Sequence, residues 1–469
     1  MLRFSKTGRL LCFALAVLLL LSSCSTPRQD ADWIWSAGFV LTMDPSRRIL
    51  EDGAVVVRGE RIIAVGRRAD LERSYRAARR IHVSEAVIAP GLINAHTHAA
   101  MSLLRGLADD LALQDWLEKY IFPVEAKFVS PDFVRAGTRL ACLEMALGGV
   151  TTFADMYYYE DAVAEATREC GLRGVLGETI LNFPAPDAPD FQRALDYTER
   201  FIRRYRGDPL IVPAVAPHAL YTNSEESLRG SRALANRYGV PLLTHLAETR
   251  QEWDQAMARF GKSPVAAFEQ LGLFEGPTLA AHCVWVDEVD LRILSRRGVG
   301  VAHCPSSNMK LASGVAPVTK MLAAGIPVGL GTDGPAGSNN DFNLFEEMDL
   351  AAKLQKVSTG DPRALPAIQA VEMATLTGAQ ALGMDSEIGS LEPGKRADMI
   401  LIRLDAAHAV PLFNLYSQLV YALKSSDVEH VMVNGRLIVH SGRMLTLNSR
   451  SVLLEARRFQ SRIADSVGK

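Results

Sequence analysis

The chain has few of the residues that staple small domains together. Only 6 of its 469 residues are cysteine, and none stand in a CxxC pair, which argues against a cysteine-built zinc site or a disulfide framework. Cys142, Cys170, Cys283 and Cys304 read as small buried residues. Cys283 and Cys304 each follow a histidine and are expected to face away from whatever that histidine faces. Neither sign of charge is in excess, with 51 Lys+Arg against 53 Asp+Glu, and no basic stripe or tail occurs. That balance argues against nucleic acid as a partner. No GxGxxG follows the first predicted strand, which removes the usual dinucleotide fingerprint. Internal repeats of 20–50 residues and low-complexity segments are also absent.

What is present is a globular composition, 48% hydrophobic and 22% charged, long enough for one large domain and a smaller one. The N-terminus stands apart. Arg3, Lys6 and Arg9 precede an apolar run from Leu10 to Leu21, the length of a signal peptide and short for a membrane span. The run ends in Leu21-Ser22-Ser23-Cys24, which resembles a bacterial lipobox. That resemblance implies removal of residues 1–23, lipidation of Cys24 and a membrane-anchored protein of the bacterial cell envelope. Ser25 after the cysteine resembles, in a Gram-negative cell, the outer-membrane sorting pattern. Residues 24–32 are polar and read as a tether.

Short apolar runs broken by turns fill 33–87 ("GAVVVRGERIIAVG") and return in 387–447 ("VEHVMVNGRLIVHSGRML"). A composite β-sandwich built from both ends is expected, followed by a C-terminal helix over 448–469. Between them, 88–386 alternates eight apolar strands with helical periodicity. The strands are "VIAPGLINAH", "TTFADM", "RGVLGETI", "LIVPAVAPH", "PLLTHLAE", "TLAAHC", "GVGVAHC" and "PVGLGTD". Eight βα units in about 300 residues predict an α/β fold, a (β/α)8 TIM barrel, in preference to a doubly wound open sheet.

The C-terminal ends of barrel strands are where such folds carry chemistry. His96 and His98 close the first strand, two residues apart and therefore on one face. His218 closes the fourth, His245 the fifth with Glu248 three residues on, His282 the sixth, His303 the seventh and Asp333 the eighth. Six of the chain's 10 histidines thus gather at one end, as a metal site requires. Three imidazoles and a carboxylate, His96, His98, His245 and Asp333, suit one Zn2+ or Fe2+. Such an ion with an open position brings the pKa of water towards neutrality. Asp333 could touch both metal and water, His282 could hold that water, and Glu248 could shuttle protons.

These motifs in order ("HTH", the single histidines of the fifth and sixth strands, "GTDG" and "GSLEPGKRADMILI") resemble the amidohydrolase superfamily. Lysine stands at no strand end, so the resemblance implies a mononuclear site. "RGLADDLALQDWLEKYIFPVEAKF", "HLAET", "HCPSSNMKL" and "GTDGPAGSNNDFNLFEEM" resemble methylthioadenosine/S-adenosylhomocysteine deaminases, alongside chlorotriazine hydrolases. The likeness implies a metal-dependent deaminase of adenosine-like nucleosides, in which hydroxide attacks C6 and ammonia leaves. In it Glu248 protonates the purine N1, Glu125 binds ribose hydroxyls, and Trp116 and His218 contact the substrate. Deaminases of the homocysteine type meet the amino-acid carboxylate with arginines near the third strand. Here Glu178 ends that strand, with Arg193 beyond it as a candidate. A carboxylate there would favour neutral 5′ substituents. Two other readings remain open: an amidohydrolase of another C–N or C–Cl bond on a guanine, pterin or triazine ring, and a lipid-anchored binding protein on an inactive barrel. A homo-oligomer is compatible with the sequence.

Overall fold

A computed structural model describes residues 28–467; the signal segment and Cys24 lie outside the described residues. Sixteen strands form two eight-stranded sheets. The first sheet takes β1 (Gln29–Leu41), β2 (Ile49–Arg58), β3 (Arg61–Arg67) and β4 (Tyr75–Pro90) from one end of the chain. The second is the barrel: β5 (Leu92–Thr97), β6 (Val150–Tyr157), β7 (Arg173–Ile180), β8 (Ile211–Pro217), β9 (Leu242–Leu246), β10 (Thr278–His282), β11 (Gly300–His303) and β12 (Val328–Leu330). The chain then returns to the first sheet with β13 (Met399–Arg403), β14 (Val428–Val433), β15 (Arg436–His440) and β16 (Arg443–Met444).

The barrel strands run in sequence order and every neighbouring pair is parallel. The ring closes where Thr97 bridges Asp333 and the Asp333 N–H donates to the His96 carbonyl at 3.0 Å. The closing seam therefore coincides with two of the expected site residues, His96 and Asp333. Inward positions alternate strictly: Ile93, Ala95, Ala154, Met156, Val175, Ala214, Ala216, Leu243, Leu279, Ala281 and Ala302 share one interior cluster. Small residues dominate it, which suits the narrow interior of an eight-stranded barrel.

The expected sandwich takes the form of one continuous sheet, ordered β16-β15-β14-β13-β4-β1-β2-β3. The sheet curls so that Trp33 and Trp35 of β1, Val55 and Val57 of β2, and Met399 and Leu401 of β13 enclose a single core. Alternate residues of β13, Ile400 and Ile402, face the barrel's outer cluster. A buried Arg173–Asp398 pair (3.1 Å) and the Gly91 N–H on the Asp398 carbonyl (3.1 Å) join the two units.

Two boundaries differ from expectation. Residues 29–32, read as tether, belong to β1: Gln29, Asp30 and Ala31 pair with Tyr75, Arg76 and Ala77 of β4. Gln29, Asp30 and Asp32 are polar and exposed while Ala31 between them is buried, and the polarity of the run alone does not reveal the backbone pairing. The run "VIAPGLINAH" is two strands rather than one. Val87 to Pro90 complete β4 in the curled sheet, and the barrel starts at Leu92. Gly91 makes the break, since a Cβ there would stand 2.1 Å from the Thr151 side chain. The C-terminal helix, Ser449–Val467, lies along the helix Pro131–Leu147, with Phe459 edge-on to Phe133 at 5.6 Å between centroids. No helix among the described residues is long and apolar enough to cross a membrane.

Candidate active site

A cleft opens over the C-terminal end of the barrel, lined among others by His98, Trp116, Glu125, His218, His245, Glu248, His282 and Asp333. At its floor His96, His98, His245 and Asp333 each turn a ligand atom inward, all within 4.8 Å of one another. The His96 and His98 Nε2 atoms stand 3.3 and 3.2 Å from Asp333 Oδ1.

The supports fix which ring nitrogen faces the centre. His98 Nδ1–H donates to the Met156 carbonyl at 2.7 Å, and His245 Nδ1–H donates to the His218 carbonyl at 2.8 Å. Both Nε2 atoms are therefore left with lone pairs, 3.2 Å apart. Two such lone pairs repel unless a proton or a cation lies between them. His96 Nε2 is buried without a hydrogen-bond partner, which is costly unless it has a ligand to make. In the chain alone, burial pushes His98 down, but the Asp333 carboxylate more than offsets this and lifts it to about 9. Burial pushes His96 to about 4 and His245 well below the ordinary value. Burial also opposes the charge on Asp333, yet His96 and His98 hold its carboxyl well below the usual range. A divalent cation held by His96, His98, His245 and Asp333 would take the place of the His98 proton and give His96 Nε2 its partner. These residues fit a single metal ion.

Local backbone strain sets these side chains. By the alternation of β10, where Leu279 and Ala281 face inward, His282 would point outward. Its φ of +72° turns it into the cleft. Ala247 (φ +52°) does the same before Glu248, and Asp333 itself sits at φ +62°. Such conformations cost about 1–3 kcal/mol each and persist where surrounding bonds over-determine them. Here they do. The carboxylate of Glu252 accepts the N–H groups of Ala247 (3.1 Å) and Glu248 (2.8 Å), and Cys283 N–H donates to Leu246 O at 3.0 Å.

Glu248 is buried, and its Oε2 lies 3.8 Å from His282 Nε2. Burial raises its pKa, which keeps a proton on the carboxyl more readily than on an exposed glutamate. His282 Nδ1–H donates to Asn308 Oδ1 (3.0 Å), which leaves Nε2 to accept from whatever occupies the cleft. Glu125 stands on the cleft wall and accepts the Tyr157 hydroxyl at 2.6 Å; burial lifts it to about 7 against that bond. Trp116 is anchored by Nε1–H to the Ala336 carbonyl (2.9 Å). His218 contacts Thr222 Oγ1 (3.0 Å) and packs on His245 at 4.6 Å.

Three expected residues are elsewhere. Glu178 does not face the cleft: Val175, Gly177 and Thr179 are the inward positions of β7, so Glu178 points outward. It joins the buried carboxyls of Asp155 and Glu160, with half-buried Asp187 alongside, and its Oε2 accepts the Glu160 N–H at 3.1 Å. Arg193 lies in the first turn of the helix Phe191–Tyr205, exposed, beside Asp196 at 3.7 Å. His303 is likewise turned out of the barrel, since Ala302 is the inward residue of β11. Cys304 therefore points into the barrel, its Sγ against Gly331 beside the His96 backbone, whereas Cys283 packs in the outer cluster, away from the cleft as expected. The case for neutral 5′ substituents rested on Glu178 and loses its premise.

Burial pushes Glu178 well above the ordinary carboxyl range, with Asp187 and Glu160 adding to it. Between the unfolded value and that raised value the native state holds the extra proton, so stability falls as pH rises. Glu178→Gln is expected to melt higher than wild type at pH 8, with a smaller gain at pH 5, and to leave turnover within about threefold. Melting curves at the two pH values check this; a loss at pH 8 contradicts it.

The supporting residues were missed. Ser307 Oγ–H donates to Asp333 Oδ2 (2.7 Å). Asn94 pairs with Thr332 through two bonds of 2.8 and 3.0 Å. Asn339 ties Thr332 O to Glu347. Thr97 Oγ1–H donates to Asp155 (2.5 Å), which also accepts the Ala99 N–H. Ser307, Asn308, Asn339 and Glu347 stand in the stretches "HCPSSNMKL" and "GTDGPAGSNNDFNLFEEM", so their signal was the polar density of those motifs.

The sequence pattern described as Amidohydrolase family matches residues 87–438. The chain belongs to the amidohydrolase family. This amidohydrolase is 49% identical over 427 residues to a 5-methylthioadenosine/S-adenosylhomocysteine deaminase of Syntrophobacter fumaroxidans, covering 91% of the present chain and 97% of the relative. It is 45% identical over 429 residues to a 5'-deoxyadenosine deaminase of Methanosarcina acetivorans, with coverage of 91% and 97%. Among solved structures, an adenosine deaminase from Xanthomonas campestris with bound zinc superposes with a TM-score of 0.92 at 38% identity, covering 94% of this chain and 100% of that one. The zinc complex of atrazine chlorohydrolase from Arthrobacter aurescens follows at 0.84 and 26%, covering 91% and 100%.

Proposed function

We propose that this amidohydrolase deaminates adenosine-like nucleosides by hydrolysis, replacing the 6-amino group with oxygen and releasing ammonia. The observation that carries the reading is the pairing of Glu248 with His282 at 3.8 Å, buried at the same end of the cleft as the four ligand atoms. The names of the curated relatives support the same substrate class. The donor set suits Zn2+ or Fe2+, and the zinc-containing neighbours favour zinc. Such an ion supplies Lewis-acid chemistry that brings water's pKa towards 7.

The chain's own residues then divide the work. Glu248 gives its proton to N1 of the purine, which drains electrons from C6. The same carboxylate accepts a proton from the adding water and delivers it to the departing amine, and the second water proton, lost from the C6 oxygen as the carbonyl forms, returns Glu248 to its acid form. His282 Nε2 accepts a hydrogen bond from that water and aims it, in the tautomer that Asn308 selects. Asp333, held by Ser307, places a second acceptor on the same side. Glu125 receives ribose hydroxyls, Trp116 covers the sugar, and His218 contacts the base side of the nucleoside.

Ammonia release from a panel of adenosine, 5′-deoxyadenosine, methylthioadenosine, S-adenosylhomocysteine, guanine and triazines tests the assignment. Release from the adenine nucleosides above the other compounds is expected; turnover of guanine or a triazine alone overturns it.

The proposal includes a lipid anchor at Cys24 in the bacterial cell envelope, supported by the apolar run ending at Ser22-Ser23-Cys24. Cys24→Ala is expected to move the protein out of the membrane fraction with its specific activity intact. An unchanged membrane fraction contradicts the anchor.

A further inference from the structure

The chain-wide balance of charge hides a local excess. Residues 67–80, RRADLERSYRAARR, carry six arginines against Asp70 and Glu72 in a chain of net charge −2. No lysine stands between Arg28 and Pro90, so every lysine-or-arginine cation of that stretch is a guanidinium. The absence of a basic stripe, read from the overall balance, does not hold here.

The fold gathers these arginines at one end of the curled sheet. The first residues of β1 pair with the first residues of β4, from Gln29 beside Tyr75 to Ile34 beside Arg80. The short helix Arg68–Ser74 packs next to them through Leu71. Arg80 reaches Glu72 of that helix (3.2 Å), and Arg76 reaches Asp30 of β1 (3.1 Å). Arg58, at the end of β2, donates to the Asp30 carbonyl (2.9 Å). Arg79 lies over the Trp33 ring at 5.0 Å. With Arg28 and Arg73 these side chains make one exposed face. The carboxylates on it are engaged: Asp30, Asp70 and Glu72 each meet an arginine, and Asp32 accepts the Gly59 N–H at 2.6 Å. Exposed ion pairs are weak. A guanidinium has five donors, so each keeps an edge that suits bidentate contact with phosphate.

The same end of the sheet is where the chain arrives from Cys24. Only Ser25 to Arg28 separate Cys24 from Gln29, so the first residue of β1 lies within about 18 Å of that cysteine even at full stretch. The polar layer of a leaflet is itself about 5–8 Å deep. We infer that this arginine face rests on the bilayer that holds the anchor and binds the phosphates of anionic phospholipid headgroups. The inference rests on the lipid-anchor reading of Cys24. The acyl chains fix one end of the link at the membrane, the short link brings the face to the headgroups, and the negative surface potential holds it there. β4 carries the chain from this face to Leu92, where the barrel starts. The site residues stand at the other ends of the barrel strands, so headgroup contact leaves the cleft uncovered.

The test uses the full chain purified from membranes and reconstituted in vesicles of phosphatidylcholine, alone or with a third of phosphatidylglycerol. Phenylglyoxal labelling of arginine is read residue by residue by mass spectrometry. Labelling of Arg76, Arg79 and Arg80 is expected to slow at least fivefold in the anionic vesicles relative to the neutral ones, and to recover in high salt. Arg203 and Arg363, exposed elsewhere on the molecule, should label alike in both. Equal labelling of the face in the two vesicles overturns the inference and leaves the anchor in place. The same slowing in neutral vesicles on addition of soluble glycerol phosphate marks an adventitious anion site and overturns it too. The mass of the mature N-terminus reads the anchor separately. If it carries no acyl chain, the anchor falls and flotation reads the face. Flotation with anionic but not neutral vesicles, weakened at least tenfold in Arg73→Gln/Arg76→Gln/Arg79→Gln/Arg80→Gln, then sustains the face; wild-type flotation indifferent to lipid charge overturns it. The melting temperature of the fourfold variant checks that it is folded.

Discussion

Asp333→Ala is expected to lose turnover and the metal ion together. The carboxylate contributes a ligand atom within 4.8 Å of three imidazole nitrogens, and it closes the ring through the Thr97 bridge. Its removal leaves three neutral imidazoles whose lone pairs converge without a counter-charge. Loss of a supporting group alone costs roughly 10–100-fold in metal affinity or activity, and loss of a ligand should exceed that. Ser307→Ala calibrates the effect, because it removes only the 2.7 Å bond to Asp333 Oδ2 and should fall within the smaller range. His245→Ala should match Asp333→Ala. Elemental analysis of purified wild type should find about one metal per chain, and of the two ligand variants far less. Two ions per wild-type chain, or an active Asp333→Ala, contradicts the single-ion site.

Glu248→Gln is expected to keep the metal and the fold but to lose about 10²–10⁴ in turnover, the usual worth of positioned acid–base help. The amide has the carboxyl's shape, and the backbone N–H at 248 remains held by Glu252. The amide cannot carry a proton between ring nitrogen and leaving amine. Because burial raises the Glu248 pKa, the wild-type carboxyl starts from a state readily protonated, and an amide has no equivalent. Turnover is measured beside metal content on one preparation. A variant with full metal and a rate within a few-fold of wild type removes Glu248 from the mechanism.

Legibility differed sharply between the ligands and the specificity residues. His96 and His98 are adjacent on one strand face, and their relation depends only on local geometry; ring centroids at 4.9 Å bear this out. His245 and Asp333 could be added because parallel strands bring their ends to one rim. Glu178 failed for a local reason as well, whereas Arg193 sits in the first turn of the helix beyond that strand and points to solvent. Proximity to a strand end was given more weight than the period-two alternation, which already assigned Thr179 inward and Glu178 outward. His303 went wrong by the same omission.

The sequence by itself determined the barrel, the return of the chain to a shared β unit, and the metal ligands, since each depends on periodicity or on residue types whose chemistry needs one another. Only the tertiary structure decided how the ends of β10 and β9 aim His282 and Glu248. Left-handed turns at His282 and Ala247 overrule strand alternation, and they are held by partners as distant in sequence as Asn308. It also decided that Glu178 belongs to a buried acidic group. Such placements depend on which elements pack together across the fold, because a side chain's direction at a strand end is set by bonds to residues that no local pattern joins to it.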